Sequence, residues 1–163
     1  MRYFARFSII TVLVFVLPLL LTGQNNRVRL VKLTDFDLQS GSVIAESGEE
    51  LSLPGYRSTV HWFPVKVPST VLTGLVANRI YPDPYSGMNN MLIPDASDSF
   101  NRQYNLEQYS YLPNNPNPWK VPYWYRTTFN VPAEKNRHYE LIFKGINYRA
   151  AVWINGKQIA DST

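Results

Sequence analysis

Residues 141–163 read LIFKGINYRAAVWINGKQIADST, and this stretch decides the fold class. Leu141 and Phe143 alternate with Ile142 and Lys144 as far as Gly145. The alternation begins at Tyr139 and Glu140, and its period of two is that of a half-buried strand. Residues 148–154 form a second apolar run, and Lys157-Gln158-Ile159-Ala160 follows it. Between the last two lies Asn155-Gly156. Both residues accept positive φ, as a type I′ turn demands, so the pair predicts a β-hairpin. Working outward, residues 122–132 read PYWYRTTFNVP. Tyr125, Thr127, Phe129 and Val131 fall on one strand face, with Arg126, Thr128 and Asn130 on the other. Pro132 cannot donate to a ladder and ends the run. Residues 28–36 carry β-formers with some alternation and predict a further strand.

Helical signal is sparse. In residues 69–78, STVLTGLVAN, Val71, Leu72, Leu75 and Val76 share a helical face, and Ser69 after Pro68 is placed to cap it. Gly74 weakens that helix. Glu49-Glu50 reads as a solvated turn. Residues 80–123 are dense in Pro, Asn, Tyr and Ser, with little periodicity. Gly and Ser do not dominate there, so the reading is a rigid surface loop bearing aromatic and amide groups. About five or six strands are legible, against roughly seven or more in a sandwich. The fold is therefore expected to be incomplete at the C-terminus, with unpaired edges.

The first 23 residues read as an address rather than fold. Arg2 and Arg6 make a basic start, residues 9–21 are almost all apolar, and Thr22-Gly23 are small. This is the pattern of a cleaved signal peptide with Gln24 as the mature N-terminus. The apolar run is short for a bilayer span and is interrupted by Pro18. Export to a periplasm or the cell exterior is the expectation, with membrane contact only through this segment.

Composition bounds the chemistry. The chain has 163 residues, 45% of them hydrophobic and 17% charged, which is globular rather than disordered. The net charge of +4 falls to +2 without Arg2 and Arg6, and no basic run exists, which argues against nucleic acid as a partner. With no cysteine and two histidines, there is no material for a zinc site or a thiol nucleophile. His61 and His138 lack ligand spacing. Asp35 and Asp37 share a strand face, and Asp95 and Asp98 lie in the central loop, but neither pair specifies a general acid beside a nucleophile. No phosphate loop, dinucleotide fingerprint or serine elbow is present. No cofactor, metal or catalytic residue is expected in this stretch of chain. Tyr81, Tyr85, Trp119, Tyr123, Trp124 and Tyr125 are rings that could stack on a sugar, while Asp83, Asn89, Asn90 and Asp95 could bond hydroxyls. For Trp124, Tyr125 and Trp153, packing is the commoner fate.

Residues 67–90, VPSTVLTGLVANRIYPDPYSGMNN, together with residues 122–132 and 141–163 in the same order, resemble the N-terminal domain of glycoside hydrolase family 2. The similarity is greatest to the exo-β-D-glucosaminidase and β-mannosidase branches, and it runs over residues 30–163. The resemblance implies an all-β fold, a galactose-binding-like jelly-roll sandwich over residues 24–163 that follows the signal peptide and is truncated. It implies a β-linked oligosaccharide as partner. It also implies an immunoglobulin-like domain and a (β/α)₈ barrel further along the same polypeptide, the barrel carrying the catalytic carboxylates of a retaining mechanism. The chain alone would then be inactive. The same resemblance places residues 82–90 at the barrel mouth, making Asp83, Tyr85, Asn89 and Asn90, with Trp119, the candidate substrate-binding residues. Pro82 and Pro84 stiffen that loop and Gly87 permits a bend. Asp83 and the two asparagines equally suit turn caps. The alternative reading is a non-catalytic carbohydrate-binding sandwich, and a third is a structural sandwich without a sugar site.

Overall fold

The computed structural model describes residues 29–110, 116–133, 135 and 138–161. Residues 1–23, read above as a signal peptide, and Gln24 after them lie outside the described residues. The chain divides after Lys32 into two units, and everything that follows concerns the second, Leu33–Thr163.

Strand β1 (Asp35–Ser40) is the centre of a three-stranded antiparallel sheet, flanked by β2 (Phe63–Lys66) and β3 (Tyr123–Arg126). The register sets Leu38 opposite Phe63 on one side and opposite Tyr125 on the other. These three side chains form an apolar row across one sheet face. Helix α2 (Val71–Ala77) lies on that face, and its Leu75, like Leu38, is fully buried. Burial of each such leucine contributes about 1.5–3 kcal/mol. Tyr81 and Ile93 complete the buried cluster.

Gly74 is what lets α2 approach. A β-carbon there would stand 2.8 Å from Val65 Cγ1 and 3.0 Å from Leu38 Cδ2. The glycine that weakens the helix locally is required by the helix–sheet contact. Thr70, not Ser69, caps α2, its hydroxyl accepting from Thr73 N–H at 3.1 Å. Ser69 Oγ is buried and makes no hydrogen bond among the described residues.

The opposite sheet face carries Gln39, Trp124 and Arg126. Helix α1 (Gly48–Leu51) and the hairpin of β4 (Val152–Ile154) and β5 (Lys157–Ala160) pack on this side. Glu49-Glu50 is therefore the first turn of a helix, not a free turn. Ser47 and Glu50 form a reciprocal capping box that satisfies two N-terminal donors. Trp153 of β4 packs on Trp124 at 5.3 Å between ring centroids and covers the backbone of Gly48. The Asn155-Gly156 turn has φ of 50° and 81°, the two left-handed residues predicted, and Gly156 N–H donates to Ser52 Oγ at 2.9 Å.

Among the described residues Arg126 pairs with no carboxylate. Its Nε donates to Leu51 O at 2.7 Å and its Nη2 to Leu53 O at 3.3 Å, while the guanidinium lies 5.2 Å from the Tyr56 ring centroid. A cation thus finishes the C-terminal end of α1, where unpaired carbonyls concentrate negative charge.

Three strand expectations are corrected. The strand predicted at 28–36 begins at Asp35 and runs to Ser40, because β2 pairs with Asp35–Leu38 and β3 with Asp37–Ser40. The strand predicted over residues 125–131 is instead Tyr123–Arg126, its ladder with β1 ending at the Asp37–Arg126 pair. Residues 139–143 form no strand, since among the described residues none pairs with them. Residues 80–123 are also not structureless. They contain α3 (Asp98–Gln103), capped by Ser97, and single 3₁₀ turns at Asn89–Leu92, Leu106–Tyr109 and Pro118–Lys120.

Candidate functional site

The loop of residues 82–90 leaves the core at Tyr81 and returns at Ile93, both buried. Its shape comes from its own polar groups. Asp83 Oδ1 accepts from Tyr85 N–H at 3.0 Å, an Asx turn. Asp83 O accepts from Ser86 N–H at 3.2 Å and from Asn89 Nδ2 at 3.0 Å. Gly87 takes a φ of 56°, a left-handed conformation open to glycine at no steric cost. Asp83 and Asn89 therefore spend their polar atoms on the loop. What the loop presents is Tyr85, 96% exposed, with Met88 and Asn90 also reaching solvent. Asn90 makes no side-chain hydrogen bond among the described residues.

The other rings are elsewhere. Trp119 is half-buried against the core, 5.9 Å from the Tyr81 ring, and its indole N–H donates to Pro94 O. Tyr81 is only 2% exposed, and burial raises its phenol pKa above the ordinary value. Tyr125 is raised in the same direction, chiefly by burial. Neither Trp119 nor Tyr81 is presented for stacking. Trp124 is engaged with Trp153. Of the predicted site residues, the structure brings Asp83, Tyr85, Asn89 and Asn90 into one loop and leaves Trp119 in a packing role.

Next to Trp119, a polar cluster ties the central segment together. Buried Asn101 bonds the backbone of Asp95 with both ends of its amide, at 2.5 Å and 2.7 Å. Asn117 Nδ2 reaches Asp95 O at 2.9 Å and Asp98 Oδ1 at 3.0 Å. Lys120 Nζ donates to Asp98 Oδ2 at 2.7 Å. That bond, seconded by Asn117, holds the Asp98 carboxyl below its usual pKa. Asp35 is lowered in the same way by Lys66, directly opposite on β2. Sequence reading missed this cluster as a structural unit, although the Asp95–Ser97–Asp98 spacing already carries the signature of an Asx turn leading into a capped helix. Among the described residues, no group of three or more His, Cys, Asp or Glu is arranged to hold a metal ion, and no helix is long and apolar enough to cross a membrane.

Residues 112–163 match the family model described as glycosyl hydrolase 2 galactose-binding domain-like. The chain is 33% identical over 130 residues to an exo-beta-D-glucosaminidase of Streptomyces avermitilis, covering 80% of this chain and 12% of that protein. It is 34% identical over 123 residues to an exo-beta-D-glucosaminidase of Amycolatopsis orientalis, covering 76% of this chain and 10% of the relative. A mannosylglycoprotein endo-beta-mannosidase of Lilium longiflorum is 33% identical over 128 residues, or 73% of this chain and 12% of the relative. The chain thus spans about an eighth of the length of these relatives. No solved structure matches it. Residues 112–163 thus belong with the glycosyl hydrolase 2 galactose-binding domain-like family.

Proposed function

We propose that the chain is the N-terminal domain of an exported glycoside hydrolase family 2 exo-glycosidase that releases terminal β-glucosaminide or β-mannoside units. Catalysis belongs to a barrel elsewhere in that polypeptide, and the domain itself is a jelly-roll sandwich that helps shape the pocket. The observation that carries the reading is the likeness over most of the chain to proteins named exo-beta-D-glucosaminidase. The geometry agrees with a positioning role. A loop held by internal bonds presents one exposed aromatic ring, so little ordering cost remains when that ring meets a partner.

The role of the loop is to hold Tyr85 at a fixed place, where its ring can cover the apolar face of a terminal sugar and Asn90 can bond a hydroxyl. Asp83 acts through Tyr85 by bonding its backbone. The test begins with the reading frame beyond Thr163. A frame that goes on to encode a barrel should yield a protein hydrolysing chitosan oligosaccharides or β-mannosides. In that protein Tyr85→Ala should lower kcat/KM about 10-fold or more, the scale of losing one aromatic contact. Asp83→Ala should also impair turnover, with thermal stability close to wild type. A stop codon after Thr163, or a full-length protein inert on both sugars, would overturn the reading and favour the non-catalytic module. Stability loss with unchanged kinetics per folded molecule would remove Asp83 from the argument. Export is tested by the mature N-terminus, expected at Gln24.

A further inference from the structure

Asn155-Gly156 is the one Asn-Gly pair in the chain, and the fold controls its chemistry. Asn155 is exposed, and among the described residues its side-chain amide makes no hydrogen bond. The amides of Asn78, Asn89, Asn101 and Asn117 are each bonded to a backbone carbonyl. Gly156 has no β-carbon, so nothing shields its backbone nitrogen from the Asn155 side chain. That nitrogen is nevertheless engaged. Gly156 N–H donates to Ser52 Oγ at 2.9 Å, and the Ser52 hydroxyl in turn donates to Glu49 O at 3.2 Å. Ser52 caps the C-terminal end of α1, and the turn is pressed against it. A β-carbon on Gly156 would stand 3.0 Å from Leu53 Cδ2.

We infer that Asn155 is a modification site at which the chain deamidates, and that the bond from Gly156 N–H to Ser52 Oγ restrains the reaction. The reaction uses water and no other reagent. Gly156 N gives up its proton and attacks Asn155 Cγ. A C–N bond forms, the bond from Cγ to the amide nitrogen breaks, and ammonia leaves with the proton. Water then opens the five-membered imide at either carbonyl. One opening gives aspartate; the other gives isoaspartate, whose backbone runs through the former side chain. Two features of the fold oppose the first step. The Ser52 acceptor favours the protonated nitrogen, and its own proton is committed to Glu49 O, so it cannot turn to stabilise the anion. Bringing the nitrogen onto Cγ also requires the turn to rotate, which the pairs Trp153 with Gln158 and Ile154 with Lys157 resist. The isoaspartate product adds a carbon to a two-residue turn whose length fixes the register of β4 on β5. It therefore lifts Trp153 from Trp124 and undoes the docking that delayed it. The inference is independent of any sugar and of the barrel.

Peptide mapping by mass spectrometry tests this on the full 163-residue chain, held at mildly alkaline pH and followed as the Asn155 amide becomes a carboxylate. In denaturant, Asn155 should convert faster than any other asparagine. Under native conditions its conversion should be slower by about 10-fold or more, because the turn must first open. Ser52→Ala should raise the native rate about 5–10-fold, the scale of one hydrogen bond, while Ser52→Thr, which keeps the hydroxyl, should stay near wild type. Near-UV circular dichroism reports whether the Trp124–Trp153 pair survives in each variant. Equal rates in the native and denatured wild-type chain overturn the inference, as does an unaltered rate in a Ser52→Ala chain that keeps the indole pair. Another asparagine converting first in denaturant overturns the choice of site. If Ser52→Ala loses the indole pair, hydrogen exchange at the Gly156 amide of the wild-type chain decides. Protection there sustains the inference, and exchange at unstructured rates overturns it.

Discussion

Replacing Gly48 by alanine isolates the contact that holds the hairpin to the rest of the domain. Gly48 is the first residue of α1, and it has no left-handed φ that would exclude alanine. The objection is steric. A β-carbon would stand 2.5 Å from Cδ2 and 2.9 Å from Cε3 of Trp153. An indole ring cannot yield locally as a leucine methyl does, so the whole ring must swing. Forcing a group into a packed site costs about 1–3 kcal/mol. The swing also disturbs the Trp124–Trp153 pair, and such pairs contribute about 0.5–1.5 kcal/mol. The expected loss is about 2–3 kcal/mol, or roughly 4–12 °C in Tm for a chain of this size. Urea denaturation followed by tryptophan fluorescence measures it, and near-UV circular dichroism reports the indole pair. In a Trp153→Leu background the cost of Gly48→Ala should fall to near zero, since the obstructing ring is gone. Wild-type stability and an unchanged near-UV spectrum in Gly48→Ala, or a full cost in the Trp153→Leu background, would refute the packing argument.

Further outcomes follow from the same contacts. Arg126→Lys should not rescue Arg126→Ala, because one ammonium cannot span Leu51 O and Leu53 O as the fork does; both should lose about 1–3 kcal/mol in chemical denaturation. Gly74→Ala sets about 1 kcal/mol of helix propensity against overpacking of Val65 and Leu38, and should be net destabilising despite the better helix former. Tyr81 and Tyr125 have pKa values raised by burial, so their contribution is full below the unfolded value near pH 10. It is lost as pH rises towards their folded values, and denaturant midpoints should fall above about pH 10, less so in Tyr125→Phe. Asp98 is lowered, so its contribution is full above the unfolded value of 3.8 and disappears as pH falls through the folded one. In Lys120→Gln, carboxyl NMR titration of Asp98 should move up towards 3.8, and an unmoved midpoint would sink the assignment to Lys120.

The elements legible in the sequence are those fixed by local chemistry. The Asn155-Gly156 turn needs nothing beyond two residues tolerant of positive φ, and it formed as read. The apolar face of α2 was equally visible in its spacing. What depends on distant partners was not. The alternation at residues 139–143 is a genuine strand pattern, yet a pattern supplies no ladder. Gly74 looked like a defect because its use lies in Val65 and Leu38, nine and 36 residues away in sequence. The carbonyl partners of Arg126 could not be read, because carbonyls at a helix end carry no mark in the sequence. In the candidate site, the loop at residues 82–90 and its turn-forming Asp83 and Asn89 could be read directly. Which aromatic would face outward could not, since Tyr81 and Tyr85 have the same chemistry and differ only in what surrounds them.

The bonds within residues 80–123 have an entropic consequence. Closing a free loop costs more as it lengthens, by about 0.6 kcal/mol for each doubling. This segment is divided by internal closures: two short ones, Asp83 to Asn89 and Asp95 to Asn101, and a longer one from Asn117 back to Asp95. The first two rings each close over a separation of six residues and the third over 22, so the long excursion is not a single open loop. Such a segment should accept insertions unevenly. Added residues between two closures would change the chain entropy little. Added residues inside the ring from Asp83 to Asn89 would also be inexpensive in entropy, but they would alter where Tyr85 points. Natural or engineered length changes that preserve function should therefore fall between the rings rather than within them.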